Sequence, residues 1–262
     1  MKVAFIGKGG AGKSATAGTF ARLLARAGEE VLAIDSDPMP GLAYSLGLPG
    51  EDSPLPDDLV VEKAEGDDGP RFRLRPDITA EQAIERHAPI GPDGVRYLQF
   101  GKLRGHVSAT MRSQFAFRAI VAELPEDRWS VVGDLPGGSR QVAFGWGNYA
   151  DTFLLVVEPT AKSMLAARRI LKVLRPKIES GARVALVANK TIAVADADRI
   201  ASRLGLEVAA VIPLDPAIVA AERAGIPLVD HSADSPALRA IADLVENLRR
   251  QDLARVPAGD EG

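Results

Sequence analysis

Near the start of the chain the residues Gly7-Lys8-Gly9-Gly10-Ala11-Gly12-Lys13-Ser14 follow the apolar run Val3-Ala4-Phe5-Ile6. They precede Phe20, Leu23, Leu24 and Ala27 at helical spacing, with Gly28 as a stop. A strand, a glycine-rich loop and a helix in that order constrain the fold more than any other stretch. Gly9, Gly10 and Gly12 admit backbone angles closed to other residues, so successive N–H groups can turn inward around phosphate oxygens. The helix dipole favours an anion at the same place. In such a loop Lys13 reaches the β- and γ-phosphates of a nucleotide and Ser14 holds Mg²⁺. Lys8 is a cation the general motif does not need, which suggests a charge supplied to a phosphate across a dimer.

Further apolar runs predict strands at Val31-Leu32-Ala33-Ile34, Val95 to Gln99, Ser130-Val131-Val132, Phe153 to Val157, Val184 to Ala188 and Val208 to Ile212. Helical spacing intervenes between most of them, as at Met164, Ala167, Leu171 and Leu174. With 262 residues, 46% hydrophobic, the chain can bury one good core. The pattern predicts an α/β, single-domain P-loop NTPase over residues 1–252, with a mostly parallel twisted sheet, helices on both faces, and a polar tail at 253–262. Residues 48–70, rich in Pro, Gly and acids, are expected to be loop. The absence of cysteine excludes disulfides, thiolate metal sites and a cysteine-held iron–sulfur cluster. No apolar run approaches the ~20 residues of a membrane span. The chain opens on strand and loop rather than a signal peptide, so a cytoplasmic location is expected. A net charge of −3 argues against a surface built mainly for nucleic acid.

Parallel sheets place ligands at the carboxyl ends of their strands. There Asp37 is suited to orient the water that attacks a γ-phosphate, or else to cap a turn before Pro38. Asp134 closes an apolar strand before Leu135-Pro136-Gly137-Gly138, where an acid can bind Mg²⁺ and Gly138 can offer a backbone N–H to the γ-phosphate. Asn189-Lys190 ends another strand, and the Asn amide carries both donor and acceptor for a purine edge. Pro213 and Asp215 supply an opposite wall or an ordinary turn.

Together the loop, Asp35-Ser36-Asp37-Pro38, Asp134 to Gly138, Asn189-Lys190 and Ile212 to Asp215 resemble the motifs of the deviant Walker A group that includes MinD, ParA and the nitrogenase iron protein. Within that group the chain is most similar to CooC-type ATPases, which assist nickel insertion into carbon monoxide dehydrogenase. Phe72 to Pro76, Val157 to Ser163 and Ala221 to Pro227 extend the likeness over nearly the whole chain. The resemblance implies a homodimerising ATPase with ATP and Mg²⁺ at the interface. Lys8 of one subunit would touch phosphate bound to the other, the loop from Gly9 to Ser14 and Ala15 would bind nucleotide, and hydrolysis would switch affinity for a protein client. Ala15, where many relatives carry Thr, raises a second reading, a nucleotide-binding module with little hydrolysis; a third is a ParA-like positioning ATPase on DNA. CooC-type proteins carry a Cys-x-Cys pair where His106 and Ser108 stand here, so their metal cargo is not expected. The basic run from Arg168 to Lys177 is read as a solvated helix face, and Leu238, Ile241, Leu244, Val245 and Leu248 as a helix packed on the sheet rather than a membrane anchor.

Overall fold

The computed structural model describes residues 1–37, 41–49, 55–64, 66, 68–100, 107–138, 140–143 and 145–254. The first half comprises β1 (Lys2–Gly7), α1 (Lys13–Arg26), β2 (Val31–Asp35), α2 (Leu42–Leu46), β3 (Val60–Glu62), β4 (Phe72–Leu74), α3 (Ala80–His87), β5 (Arg96–Gln99) and α4 (Val107–Ala122). Then come β6 (Ser130–Asp134), α5 (Arg140–Ala143), β7 (Thr152–Val157), α6 (Ala161–Glu179), β8 (Arg183–Thr191), α7 (Ala195–Leu204), β9 (Val208–Pro213), α8 (Pro216–Ala224), α9 (Leu228–His231) and α10 (Pro236–Leu253). Among the described residues seven strands form one sheet, ordered β5-β2-β6-β1-β7-β8-β9, and all neighbours pair in parallel. Each apolar run read from the sequence is a strand of this sheet, and the chain forms the single α/β domain those runs predict.

The central strands β2, β6 and β7 are buried along their whole length. Helical crossovers cover both faces of a parallel sheet, so neither face is wet and the strands run apolar without alternation. Successive side chains still point to opposite sides. Val3 and Phe5 pack with Phe20 of α1 and Leu238 and Ile241 of α10. Ala4 and Ile6 pack instead with Met164, Ala167 and Ile170 of α6. Toward the β5 edge, Leu32, Ile34 and Leu98 meet Ile84 of α3 and Phe117 of α4. The five apolar residues of α10 read as one stripe are all buried. Among the described residues no helix is long and apolar enough to cross a membrane.

One expectation is corrected. Part of the 48–70 stretch is ordered: Val60–Glu62 pairs antiparallel with Phe72–Leu74, Val60 opposite Leu74. Leu59 and Val60, hidden among acids and prolines, bury against α4 and hold this hairpin to the core. Phe72 stacks on Phe115 of α4 with ring centroids 4.4 Å apart. On the same helix Phe117 meets Trp146, from the turn after α5, which also lies 4.5 Å from Phe100. Leu253 ends α10, and the rest of the polar tail from 255 on lies outside the described residues.

β1 sits at the centre, with β6 and then β2 on one side and β7, β8 and β9 on the other. The crossovers diverge beside it, so the loops after β1, β2, β6 and β8 gather at one edge of the sheet. Helix starts differ in a telling way. Thr79 caps α3 in a reciprocal box with Gln82, and Thr160, Asp215 and Ser235 cap α6, α8 and α10 through their side chains. The N-cap of α1 is Gly12, which has no side chain to accept from the first-turn N–H groups. Those donors remain for another acceptor.

Candidate nucleotide-binding site

The loop between β1 and α1 is shaped by three glycines in left-handed or related conformations, Gly7, Gly10 and Gly12, with φ of 156°, 80° and 91°. Gly7 is also confined by its neighbour strand: a Cβ there would lie 2.4 Å from the Val156 carbonyl oxygen. Lys13 is buried at the start of α1, while Lys8 is half-buried and its Nζ donates to the Gly9 carbonyl at 3.2 Å. Ser14 and Ala15 follow in the first turn, both half-buried.

Asp134 ends β6 directly beside Asp35, its partner in register on β2. The Ser14 hydroxyl donates to Asp134 Oδ2 at 2.5 Å. Oδ1 of the same carboxylate is buried with no partner; Ser36 Oγ and Tyr149 Oη complete the buried orphans among the described residues. Burial raises the Asp134 pKa, repulsion from Asp35 raises it further, and the Lys13 charge opposes both. Asp35 is likewise pushed up by burial, against hydrogen bonds that favour its charged form. Its Oδ1 accepts from the Asp37 N–H at 3.0 Å, and its Oδ2 from the Leu42 N–H at 3.0 Å and the Tyr97 hydroxyl at 3.2 Å. Asp35 therefore closes the loop that carries Asp37, a positioning part the sequence reading did not assign. A β-strand carboxylate seven residues before a helix start was the available signal.

The segment after Asp134 folds back over the glycine loop. Gly138 N–H donates to the Gly7 carbonyl at 3.2 Å, and a Cβ on Gly137 would fall 2.7 Å from the Gly9 nitrogen. In this arrangement the Gly138 N–H is engaged with β1, so offering it to a phosphate requires the segment to swing. Beneath it, a Cβ on Gly133 would overlap the Tyr149 hydroxyl at 1.6 Å. Gly133→Ala should cost about 3 kcal/mol by overpacking, seen as a lower melting temperature. Tyr149→Phe removes an unsatisfied hydroxyl and should be neutral or stabilising in the same assay.

On the other side Asn189 is 3% exposed. Its Nδ2 donates to the Ala11 carbonyl at 2.7 Å and its Oδ1 accepts from the Lys190 N–H at 2.9 Å. An amide has two N–H groups and two acceptor lone pairs, so each end retains one more. Lys190 Nζ donates to the Gly10 carbonyl at 2.7 Å and pairs with Glu158 at 2.8 Å. Pro213 ends β9 opposite Thr191. Asp215 accepts from the Ala217 N–H at 2.9 Å, the Ser235 hydroxyl at 2.6 Å and the Ala237 N–H at 3.1 Å. Its carboxylate thus caps α8 and ties in α10, and what Asp215 offers a ligand is the turn it fixes. The structure therefore brings the loop, Asp37, Asp134, Gly138, Asn189 and Lys190 together, with Pro213 and Asp215 on the neighbouring strand end. His106 lies outside the described residues, and of Ser108 only its place in α4 is described.

A parallel sheet whose central strand feeds a glycine-capped helix, with a carboxylate bonded to the first-turn serine, defines a P-loop nucleotide-binding protein. The chain belongs to the CobQ/CobB/MinD/ParA nucleotide binding domain family, whose sequence profile matches residues 2–228. It is 31% identical over 246 residues to the carbon monoxide dehydrogenase accessory protein CooC of Rhodospirillum rubrum, covering 88% of this chain and 90% of that one. An uncharacterized ATP-binding protein of Methanocaldococcus jannaschii is 29% identical over 256 residues, covering 92% and 95%. The septum site-determining protein MinD of Pyrococcus horikoshii, solved with Mg-ADP, superposes with a TM-score of 0.72 at 19% identity, covering 95% of this chain and 96% of that one.

Proposed function

We propose that this protein is a Mg²⁺-dependent ATPase that works in the cytoplasm as a dimeric switch on a protein client, with residues 1–252 as the working unit and 253–262 as a tail. The observation that carries this reading is the junction of Ser14 and Asp134, where a buried carboxylate keeps one orphaned oxygen beside a hydroxyl. Hard dications favour such oxygen donors, so Ser14 and Asp134 fit Mg²⁺, which when bound neutralises charge on the nucleotide phosphates. The N–H groups from Gly9 to Ala15, apart from the Ala11 N–H that the Lys8 carbonyl holds, cradle the phosphates and Lys13 meets their charge. Asp37, positioned by Asp35, orients the attacking water. Lys8 acts in trans: a cation inserted from the other subunit stabilises negative charge developing on the γ-phosphate, and hydrolysis then depends on assembly. Gly138 senses the γ-phosphate by leaving Gly7. Asn189, Pro213 and the turn at Asp215 border the purine, Lys190 holds the Gly10 carbonyl beside them, and ATP is favoured over GTP by the relatives rather than by these residues.

The name of the Rhodospirillum rubrum relative supports a protein client, but His106 and Ser108 in place of two thiolates argue that nickel is not the cargo. Steady-state phosphate release tests the assignment. Wild-type release should need Mg²⁺ and rise more than linearly with protein concentration, and Lys8→Ala and Asp37→Ala should each lower it by about 100-fold. Equal release from all three proteins would sink the catalytic roles. ADP binding without release would favour the regulatory module that Ala15 raises. The face of α6 bearing Arg168, Arg169 and Lys172 is exposed; retention on DNA that rises with ATP and collapses with salt would favour the positioning role.

A further inference from the structure

We infer that Glu158 and the Asn189-Lys190 pair form a clamp that presets the phosphate cradle, with Glu158 as the residue that aims Lys190. The inference deepens the proposed nucleotide site and rests on it.

A peptide unit is planar and trans, so fixing one carbonyl fixes the N–H of the next residue in the opposite direction. Lys190 Nζ holds the Gly10 carbonyl at 2.7 Å, and the Ala11 N–H of the same plane is directed to Lys8 O at 3.1 Å. Asn189 Nδ2 holds the Ala11 carbonyl at 2.7 Å, which turns the Gly12 N–H to the side away from the amide. Two successive planes of the loop are therefore set from outside by the tip of β8. Gly10 and Gly12 carry no side chains that could do this, and free glycines sample more backbone states than other residues. A loop ordered before phosphate arrives loses less entropy on binding.

The clamp is itself held at some cost. Lys190 has φ of 55°, a left-handed conformation it shares, among the described non-glycine residues, with Asp93 alone. Such strain persists where the surroundings over-determine it. Here they do: Asn189 Oδ1 takes the Lys190 N–H, and the Glu158 carboxylate, on a side chain 15% exposed, takes its ammonium. Glu158 is anchored in turn, since its N–H donates at 3.0 Å to the Ser163 hydroxyl in the first turn of α6. A lysine on a flexible four-carbon stem has many rotamers. The carboxylate selects the one that reaches Gly10. It also neutralises the ammonium, so Lys190 is a positioning residue rather than a phosphate cation, and that charge falls to Lys13 and Lys8.

The test compares ADP with inorganic tripolyphosphate, which has the phosphates and no purine. In wild-type protein both should bind. Lys190→Met should weaken both by the same factor, about tenfold, the size of one charge-assisted hydrogen bond. Glu158→Gln keeps shape and an acceptor oxygen but loses the charge, and should weaken both in parallel by about threefold. If Lys190→Met does not fold, the parallel loss in Glu158→Gln decides the matter. Weakened ADP with unchanged tripolyphosphate would overturn the clamp and make these residues purine contacts. Unchanged binding of both would overturn it too, leaving a surface ion pair. Wild-type protein that binds neither would instead remove the nucleotide-site reading itself.

Discussion

Gly12→Ala should raise the ADP dissociation constant by at least about 100-fold while leaving the apo fold in place, because two independent constraints meet at that atom. Its φ of 91° is a conformation that costs an L-residue roughly 1–2 kcal/mol. A Cβ there would lie 2.3 Å from Asn189 Nδ2, so the amide must leave the Ala11 carbonyl or the helix start must shift. Either response disorders the N–H groups around the phosphates. Gly9 supplies the control, since nothing lies within 4 Å of a Cβ placed on it. Gly9→Ala should change the affinity by less than about threefold, a surface-sized effect. Calorimetric titration with ADP, beside far-UV circular dichroism, separates the two outcomes. A native Gly12→Ala protein with wild-type affinity would show that this loop does not hold phosphate.

The second large effect is one of pH. Without ligand, stability should fall as pH rises from about 4 to about 7, and Asp134→Asn should remove most of that slope. Burial raises Asp134 from the ordinary 3.8 to about 7, with repulsion from Asp35 adding to it and the Lys13 charge opposing. Asp35 goes to about 6, again chiefly by burial. Between the unfolded and folded pKa values the unfolded chain has released protons the folded protein still holds, so each rise in pH favours unfolding. Below the window both states are protonated, and above it both are ionised. The slope is worth up to about 1.4 kcal/mol per pH unit for each group, or several degrees of melting temperature. Thermal melts at pH 4, 5.5 and 7 measure it. Mg²⁺ with ADP should flatten the profile by pairing with the ionised carboxylate; a flat or rising profile in the free protein would mean the two acids are not strained together. In phosphate release Asp134→Asn should lose about 100-fold or more.

Both effects rest on parts of the molecule that differ in how visible they are from sequence. The seven strands were legible because a strand buried on both faces leaves an apolar run with no alternation, as Phe153 to Val157 does. The loop was legible because Gly7, Gly10 and Gly12 are demanded by backbone angles, which are local, whereas Gly9 has no such angle. What could not be read is long-range pairing. Asn189 reaches Ala11 across 178 residues, and Asp215 meets Ser235 across 20 to cap one helix and hold another. Turn composition around Pro213 allows many partners and specifies none. Asp35 was overshadowed by Asp37 because the Tyr97 hydroxyl and Leu42 N–H that bind it come from elements the sequence does not bring together by any pattern. Val60–Glu62 escaped because three residues are too short a run for periodicity, and their burial depends on α4 and on Leu74.

Trp146 lies in the turn after α5, packed against Phe100 and Phe117 at centroid distances of 4.5 and 6.2 Å. Phe100 is the residue after β5, and its N–H is bonded to the Asp35 carbonyl at 2.8 Å. The chain has two tryptophans, and the other, Trp129, is 5% exposed beside Arg128, ahead of β6 at the opposite end of that strand. Indole emission is sensitive to local polarity and to neighbouring rings. The molecule therefore carries its own optical indicator, placed between α4 and the residue after β5 that bonds Asp35, with a second indole ahead of β6 as an internal reference.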